Sequence, residues 1–182
     1  MTRQTLNALD PRSSGRKESL AKEASTGKQA GRQDTGIRHV ALRATNPAAS
    51  AEFYRDVLGM EIVGGSTADH PVGATAFLSS RPAEEAHEIA LFAKPEFAHI
   101  AFKVSSFAEF RSLHARVVEK NIPIKFVLNN GVSFSFYFDD PDGNMVEIYW
   151  PTGDLSHGQP YSEPLDLSQP DEALLEKITA TP

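Results

Sequence analysis

His39 and His99 stand sixty residues apart in matching surroundings, Ile37-Arg38-His39-Val40-Ala41-Leu42-Arg43 and Phe97-Ala98-His99-Ile100-Ala101-Phe102-Lys103. A carboxylate, Glu147, follows His99 by forty-eight residues in a third apolar stretch, Val146-Glu147-Ile148-Tyr149-Trp150. Two neutral imidazoles and one carboxylate form a donor set that holds a divalent metal and leaves coordination positions open for chemistry. The chain has no cysteine, which excludes disulfides, thiolate zinc sites and cysteine nucleophiles. Any metal is therefore held by imidazole and carboxylate, ligands that suit iron, manganese, zinc or nickel.

Those three residues need strands to carry them. Ile37 to Arg43 alternates in the manner of a strand, and Asn46 with Pro47 marks a helix start that runs to Leu58 and stops at Gly59. Met60 to Gly64, Thr75 to Ser79 and His87 to Ala93 read as three further strands, completing a βαβββ unit. The pattern then repeats. Ala98 to Val104 is a strand, and Ser105 or Ser106 caps a helix with Phe107, Phe110, Leu113 and Val117 at helical spacing. Ile122 to Val127, Ser133 to Phe138 and Met145 to Trp150 close the second unit. Duplication makes the positions of His39 and His99 equivalent. A step of forty-eight from His39 lands on His87, whereas alignment of the apolar faces pairs Glu88 with Glu147. Alternation sends Val40, Leu42, Ile100, Phe102, Val146, Ile148 and Trp150 toward the helices, and the polar residues to the opposite face. Phe53, Phe107 and Phe110 read as core.

The expected class is α+β: two tandem βαβββ modules, 37–93 and 97–151, whose mixed sheet curls around one metal-binding cavity. Residues 1–36 carry seven Lys or Arg against four Asp or Glu and no Val, Ile or aromatic residue, so they read as a disordered N-terminal tail. A mitochondrial transit peptide is the rival reading there, opposed by Asp10, Glu18 and Glu23. Residues 152–182 read as a C-terminal tail. The net charge of −6, with no apolar run long enough to span a bilayer, gives no reason to expect nucleic acid or a membrane and points to a cytoplasmic protein.

The motifs His39-Val40-Ala41-Leu42, Phe53-Tyr54-Arg55-Asp56-Val57-Leu58-Gly59-Met60, Ala98-His99-Ile100-Ala101-Phe102 and Phe138-Asp139-Asp140-Pro141-Asp142-Gly143-Asn144-Met145-Val146-Glu147, in that order, resemble the vicinal oxygen chelate superfamily. That superfamily contains glyoxalase I, bleomycin-resistance proteins, fosfomycin-resistance enzymes and type I extradiol dioxygenases. The stretch His87-Glu88-Ile89-Ala90-Leu91-Phe92 and a tyrosine ten residues before Glu147 are similar to the catechol 2,3-dioxygenase-like members, and Ser162 to Leu167 with Ala173 to Leu175 resembles their C-terminal segment.

The resemblance implies a glyoxalase/extradiol dioxygenase fold and an Fe(II)-dependent enzyme, with Mn(II) or another divalent metal as the alternative. It implies cleavage of a catechol-like vicinal diol by O2, as in aromatic catabolism. His39, His99 and Glu147 would be the metal ligands, His87 the proton-transfer residue, and Tyr137 the residue orienting a substrate oxygen. Asn130 stands where many of these enzymes have histidine, so it could contact substrate by hydrogen bonds but not carry a proton at neutral pH. A homodimer is implied by the family's pairing of modules. Two other readings stay open: a glyoxalase-type isomerase or lyase with Glu88 as fourth ligand, and a non-catalytic small-molecule binder.

Overall fold

Local sequence signals start and stop the helices. In the computed structural model, which describes residues 35–153, 155 and 160–179, the Asn46 side chain accepts from the Ala49 amide at 3.1 Å and Pro47 opens helix α1 (Pro47–Leu58). Gly59 ends it at φ 69°, a left-handed conformation that glycine adopts without a Cβ penalty. Ser106 caps helix α2 (Phe107–Glu119) through the Glu109 amide at 3.1 Å. A third helix, α3 (Asp171–Thr179), lies near the C-terminus.

The strands are β1 (Gly36–Arg43), β2 (Glu61–Ser66), β3 (Thr75–Ser79), β4 (Ile89–Phe92), β5 (His99–Lys103), β6 (Ile124–Asn129), β7 (Ser133–Asp139), β8 (Met145–Pro151) and β9 (Glu163–Pro164). They form one curled, mixed sheet in the order β2-β3-β4-β1-β5-β8-β7-β6-β9. Each module repeats one pairing scheme: β1 runs parallel to β4 as β5 does to β8, and the remaining neighbours within a module are antiparallel. The antiparallel pair β1 and β5 joins the modules. This is the half-barrel expected for the glyoxalase/extradiol dioxygenase fold.

Pairing register corrects the internal symmetry inferred from spacing. Ala41 pairs with Ala90 and Ala101 pairs with Glu147. The counterpart of Glu147 is therefore Ala90, neither His87 nor Glu88. Equal steps along the chain fail because the 67–74 and 80–88 connections of the first module are longer than 130–132 and 140–144 of the second. His87 consequently precedes β4 rather than opening it.

Two of the hydrophobic clusters lie beneath α1 and α2. Phe110, Phe134, Phe136 and Ile148 centre the second, and Ala51, Met60, Leu78 and Leu91 the first. Leu165, Leu167 and Leu174 join the second core, so the segment expected as a tail contributes a short edge strand and a packed helix. Arg111 on α2 holds it, donating from Nη1 to the Leu167 carbonyl at 2.5 Å. Residues 1–34, expected as a disordered tail, lie outside the described residues. Two packing expectations fail. Leu42 and Ile100 are 38% and 40% exposed, because α1 sits over β2, β3 and β4 and α2 over β8, leaving the outer face at the β1/β5 seam without a helix over it among the described residues. Phe53 is 58% exposed and belongs to no core cluster, unlike Phe107 and Phe110, which stack at 6.0 Å.

Candidate metal centre

Three neighbouring strands deliver the three donors to the concave face. β1 brings His39, β5 brings His99 and β8 brings Glu147; their ligand atoms lie within 4.8 Å of one another. His39 Nε2 is 3.0 Å and His99 Nε2 is 2.9 Å from Glu147 Oε2, and the two Nε2 atoms are 3.2 Å apart. All three side chains are buried. Burial pushes the Glu147 carboxyl up, but the two imidazoles more than offset this and hold it well below the usual carboxylate range. His99 is likewise lowered by burial yet raised overall by Glu147 and by the Phe97 carbonyl.

Hydrogen bonds around the donors orient them. His99 Nδ1 lies 2.8 Å from the Phe97 carbonyl. A carbonyl only accepts, so Nδ1 carries the proton and the Nε2 lone pair of the neutral ring faces the centre. Tyr137 donates to Glu147 Oε1 at 2.8 Å, leaving Oε2 toward the imidazoles. Burial, then the Glu147 charge, raises the Tyr137 phenol well above its ordinary value, which keeps it a donor. Three converging acceptor atoms need a shared cation, and imidazole, imidazole and carboxylate fit a divalent metal of the iron, manganese or zinc kind. Ala90, the counterpart of Glu147, offers no fourth ligand and lines the cavity instead.

The other expected site residues lie around this centre. The His87 ring is 4.4 Å from that of His39 and 5.1 Å from that of Phe77, centroid to centroid. Asn130 donates from Nδ2 to Ser135 Oγ at 3.1 Å and to the Tyr137 hydroxyl at 3.3 Å, and its Oδ1 accepts from Ser162 at 3.1 Å. A hydrogen-bonded chain thus runs from the C-terminal segment through Asn130 and Tyr137 to Glu147. Glu88 turns away: Oε2 accepts from the Ser80 amide at 2.7 Å and Oε1 from Arg81 at 2.8 Å, so Glu88 is no fourth ligand. His39, His87, His99, Asn130, Tyr137 and Glu147 all line one cavity of about 590 Å³.

Sequence reasoning passed over Glu85, Lys103, Tyr149 and Ser162, which line the same cavity. For Tyr149 the signal was present, since alternation that buries Ile148 and places Glu147 inside puts Tyr149 inside as well. Its ring lies 5.2 Å from that of His39. For Glu85 and Ser162 no local pattern existed, because irregular segments bring them in.

A sequence model described as the Glyoxalase/Bleomycin resistance protein/Dioxygenase superfamily matches residues 36–148. Biphenyl-2,3-diol 1,2-dioxygenase 3 of Rhodococcus globerulus is 29% identical over 145 residues, covering 69% of this chain and 72% of that protein. Metallothiol transferase FosB of Staphylococcus epidermidis is 32% identical over 123 residues, covering 66% of this chain and 85% of that protein. Among solved structures, 2,2',3-trihydroxybiphenyl 1,2-dioxygenase from Sphingomonas wittichii superposes with a TM-score of 0.56 at 23% identity, over 71% of this chain and 48% of that one. The Mn(II)-bound glyoxalase of Novosphingobium aromaticivorans gives 0.54 at 24% identity, over 71% and 42%. The chain thus spans about half the length of these two solved proteins. By the match across 36–148, the chain belongs to the Glyoxalase/Bleomycin resistance protein/Dioxygenase superfamily.

Proposed function

We propose that this protein is a metal-dependent extradiol-type dioxygenase that opens an aromatic vicinal diol with O2. The observation that carries the reading is the convergence of His39, His99 and Glu147, with Ala90 where a fourth ligand would stand. When bound at those donors, Fe(II), or Mn(II) as the alternative, supplies open coordination positions at which a diol and O2 can be held together. Both atoms of O2 enter the product, so the reaction needs no outside reductant.

This chain's residues would prepare the diol. Phe77, Phe92 and Phe97 form an aromatic wall, with ring centroids 6.1 Å and 5.6 Å apart, suited to a flat ring and able to exclude water. His87, beside His39, takes a proton from a diol oxygen and returns it on opening. Tyr137 fixes Glu147 and stands close enough to the centre for its hydroxyl to meet a substrate oxygen. Asn130 holds Tyr137 and donates hydrogen bonds, without moving protons.

Thiol transfer is the second reading, favoured by the identity to the Staphylococcus epidermidis metallothiol transferase. Ring cleavage is the better account because the wall beside the imidazoles is aromatic. The test is to purify the protein without oxygen, load it with Fe(II) or Mn(II), and add catechol or 3-phenylcatechol with O2. A yellow ring-opened product, absent from His99→Ala, is expected. Stoichiometric metal with no product from any diol would discard the dioxygenase reading in favour of transferase or isomerase chemistry.

A further inference from the structure

Two consecutive asparagines at the end of β6 join the C-terminal segment to the metal centre. β6 pairs with β9 in register, Leu128 opposite Pro164 and Asn129 opposite Glu163. Asn129 is fully buried, and its amide has one orientation: Oδ1 accepts from the Gly131 amide at 2.9 Å, and Nδ2 donates to Glu163 Oε1 at 3.2 Å. The Leu165 amide donates to the Val127 carbonyl at 2.9 Å, and Leu165, Leu167 and Leu174 enter the second core. These contacts seat the segment without help from Ser162. The Ser162 hydroxyl turns instead to the other asparagine, donating to Asn130 Oδ1 at 3.1 Å, and Ser162 lines the cavity.

Glu147 sets the direction of every bond from the centre outward. An ionised carboxylate only accepts, so the Tyr137 hydroxyl gives its single proton to Oε1. The Tyr137 oxygen is then an acceptor, and Asn130 meets it with Nδ2 at 3.3 Å while donating from the same nitrogen to Ser135 Oγ at 3.1 Å. That orientation leaves Oδ1 toward the C-terminal segment, where Ser162 is its donor. Turning the Asn130 amide over would set Oδ1 against the Tyr137 oxygen, and the phenol would have two acceptors for one proton. Each bond in such a chain polarises the next. A donor on Oδ1 therefore strengthens Nδ2 as a donor and, through it, the hold of Tyr137 on Glu147.

We propose that Ser162 is a positioning residue of the metal centre, acting through Asn130 and Tyr137 to hold the Glu147 carboxylate toward the two imidazoles. The proposal rests on His39, His99 and Glu147 as metal ligands and is independent of which reaction the metal supports. It makes the C-terminal segment part of the centre as well as of the second core.

The test is the Mn(II) affinity of the full-length protein, measured by competition with a chromogenic chelator. Ser162→Ala is expected to bind Mn(II) roughly two- to tenfold more weakly, the range set by the loss of one net hydrogen bond. Ser162→Thr, which keeps the hydroxyl, should hold the wild-type affinity. In Tyr137→Phe the chain stops at Asn130, so adding Ser162→Ala should weaken Mn(II) binding no further. A merely structural role for Ser162 would give the same loss in both backgrounds. Circular dichroism and the urea midpoint establish that each variant is folded. Unchanged affinity in Ser162→Ala, or an equal loss in the wild type and in Tyr137→Phe, would overturn the proposal and leave the metal centre standing. A wild type that binds none of Mn(II), Fe(II) and Zn(II) would discard the metal centre and the proposal together.

Discussion

Glu147 at the centre is held by a side chain whose removal has a distinct signature. Tyr137 keeps Glu147 facing the imidazoles through a 2.8 Å hydrogen bond. Tyr137→Phe is therefore expected to weaken metal binding by roughly 10- to 100-fold, the usual cost of losing an outer hydrogen bond to a ligand, as measured by competition with a chromogenic chelator. Ala90 makes the opposite prediction. Ala90→Glu puts a second carboxylate at the position equivalent to Glu147, so the variant should retain stoichiometric metal and lose diol turnover. Unchanged turnover would mean that the Ala90 position does not face the reacting diol. His39, His99 and Glu147 were legible as a set because a repeat with alternation places equivalent side chains on one face. Ala90 was not, because hairpins of unequal length hide which residue pairs with which.

The helices and the C-terminal segment pack against the sheet that carries the site. Leu174 on α3 is fully buried in the second core, and Leu174→Ala should cost about 2–5 kcal/mol in urea denaturation. A cost near zero would show that α3 does not pack there in solution. On α2, His114 lies against Phe136 with ring centroids 5.3 Å apart, and burial, then the Arg111 charge, lowers its protonation. The unfolded chain then binds a proton that the folded chain resists. Stability from this residue is complete above its ordinary value of about 6.5 and declines as pH falls below it. His114→Gln should flatten the denaturation midpoint between pH 7 and pH 5. Helix limits were readable from Asn46, Pro47, Gly59 and Ser106, whose cap chemistry is local. The packing of Leu165, Leu167 and Leu174 was not, since a short amphipathic stretch carries no mark of the surface it will cover.

For the molecule as a whole, metal binding and stability should be linked. The donors come from both modules, so an ion bound by the folded chain alone stabilises it by about 2.7 kcal/mol at a free concentration of 100 times Kd. The melting temperature should rise with added Fe(II) or Mn(II) and fall with chelator. In Glu147→Ala the dependence should vanish. Leu42 and Ile100, exposed at the β1/β5 seam, show that an apolar row on a strand does not by itself fix where a helix lies: the helices sit over β2, β3, β4 and β8.

By itself, the sequence determined that two copies of one strand pattern and a third strand carry imidazole, imidazole and carboxylate opposite their apolar rows. That follows from side-chain alternation and from duplication, both of which are properties of the chain written in one dimension. Only the tertiary structure decided that the three donors meet at one point, that Ala90 rather than His87 or Glu88 faces Glu147 across the pseudo-symmetry, and that Ser162 stands beside Asn130. Those relations depend on register between strands and on the curl of the sheet. Hydrogen bonding sets register pair by pair, after loops of unequal length have been accommodated, and no count along the chain contains it.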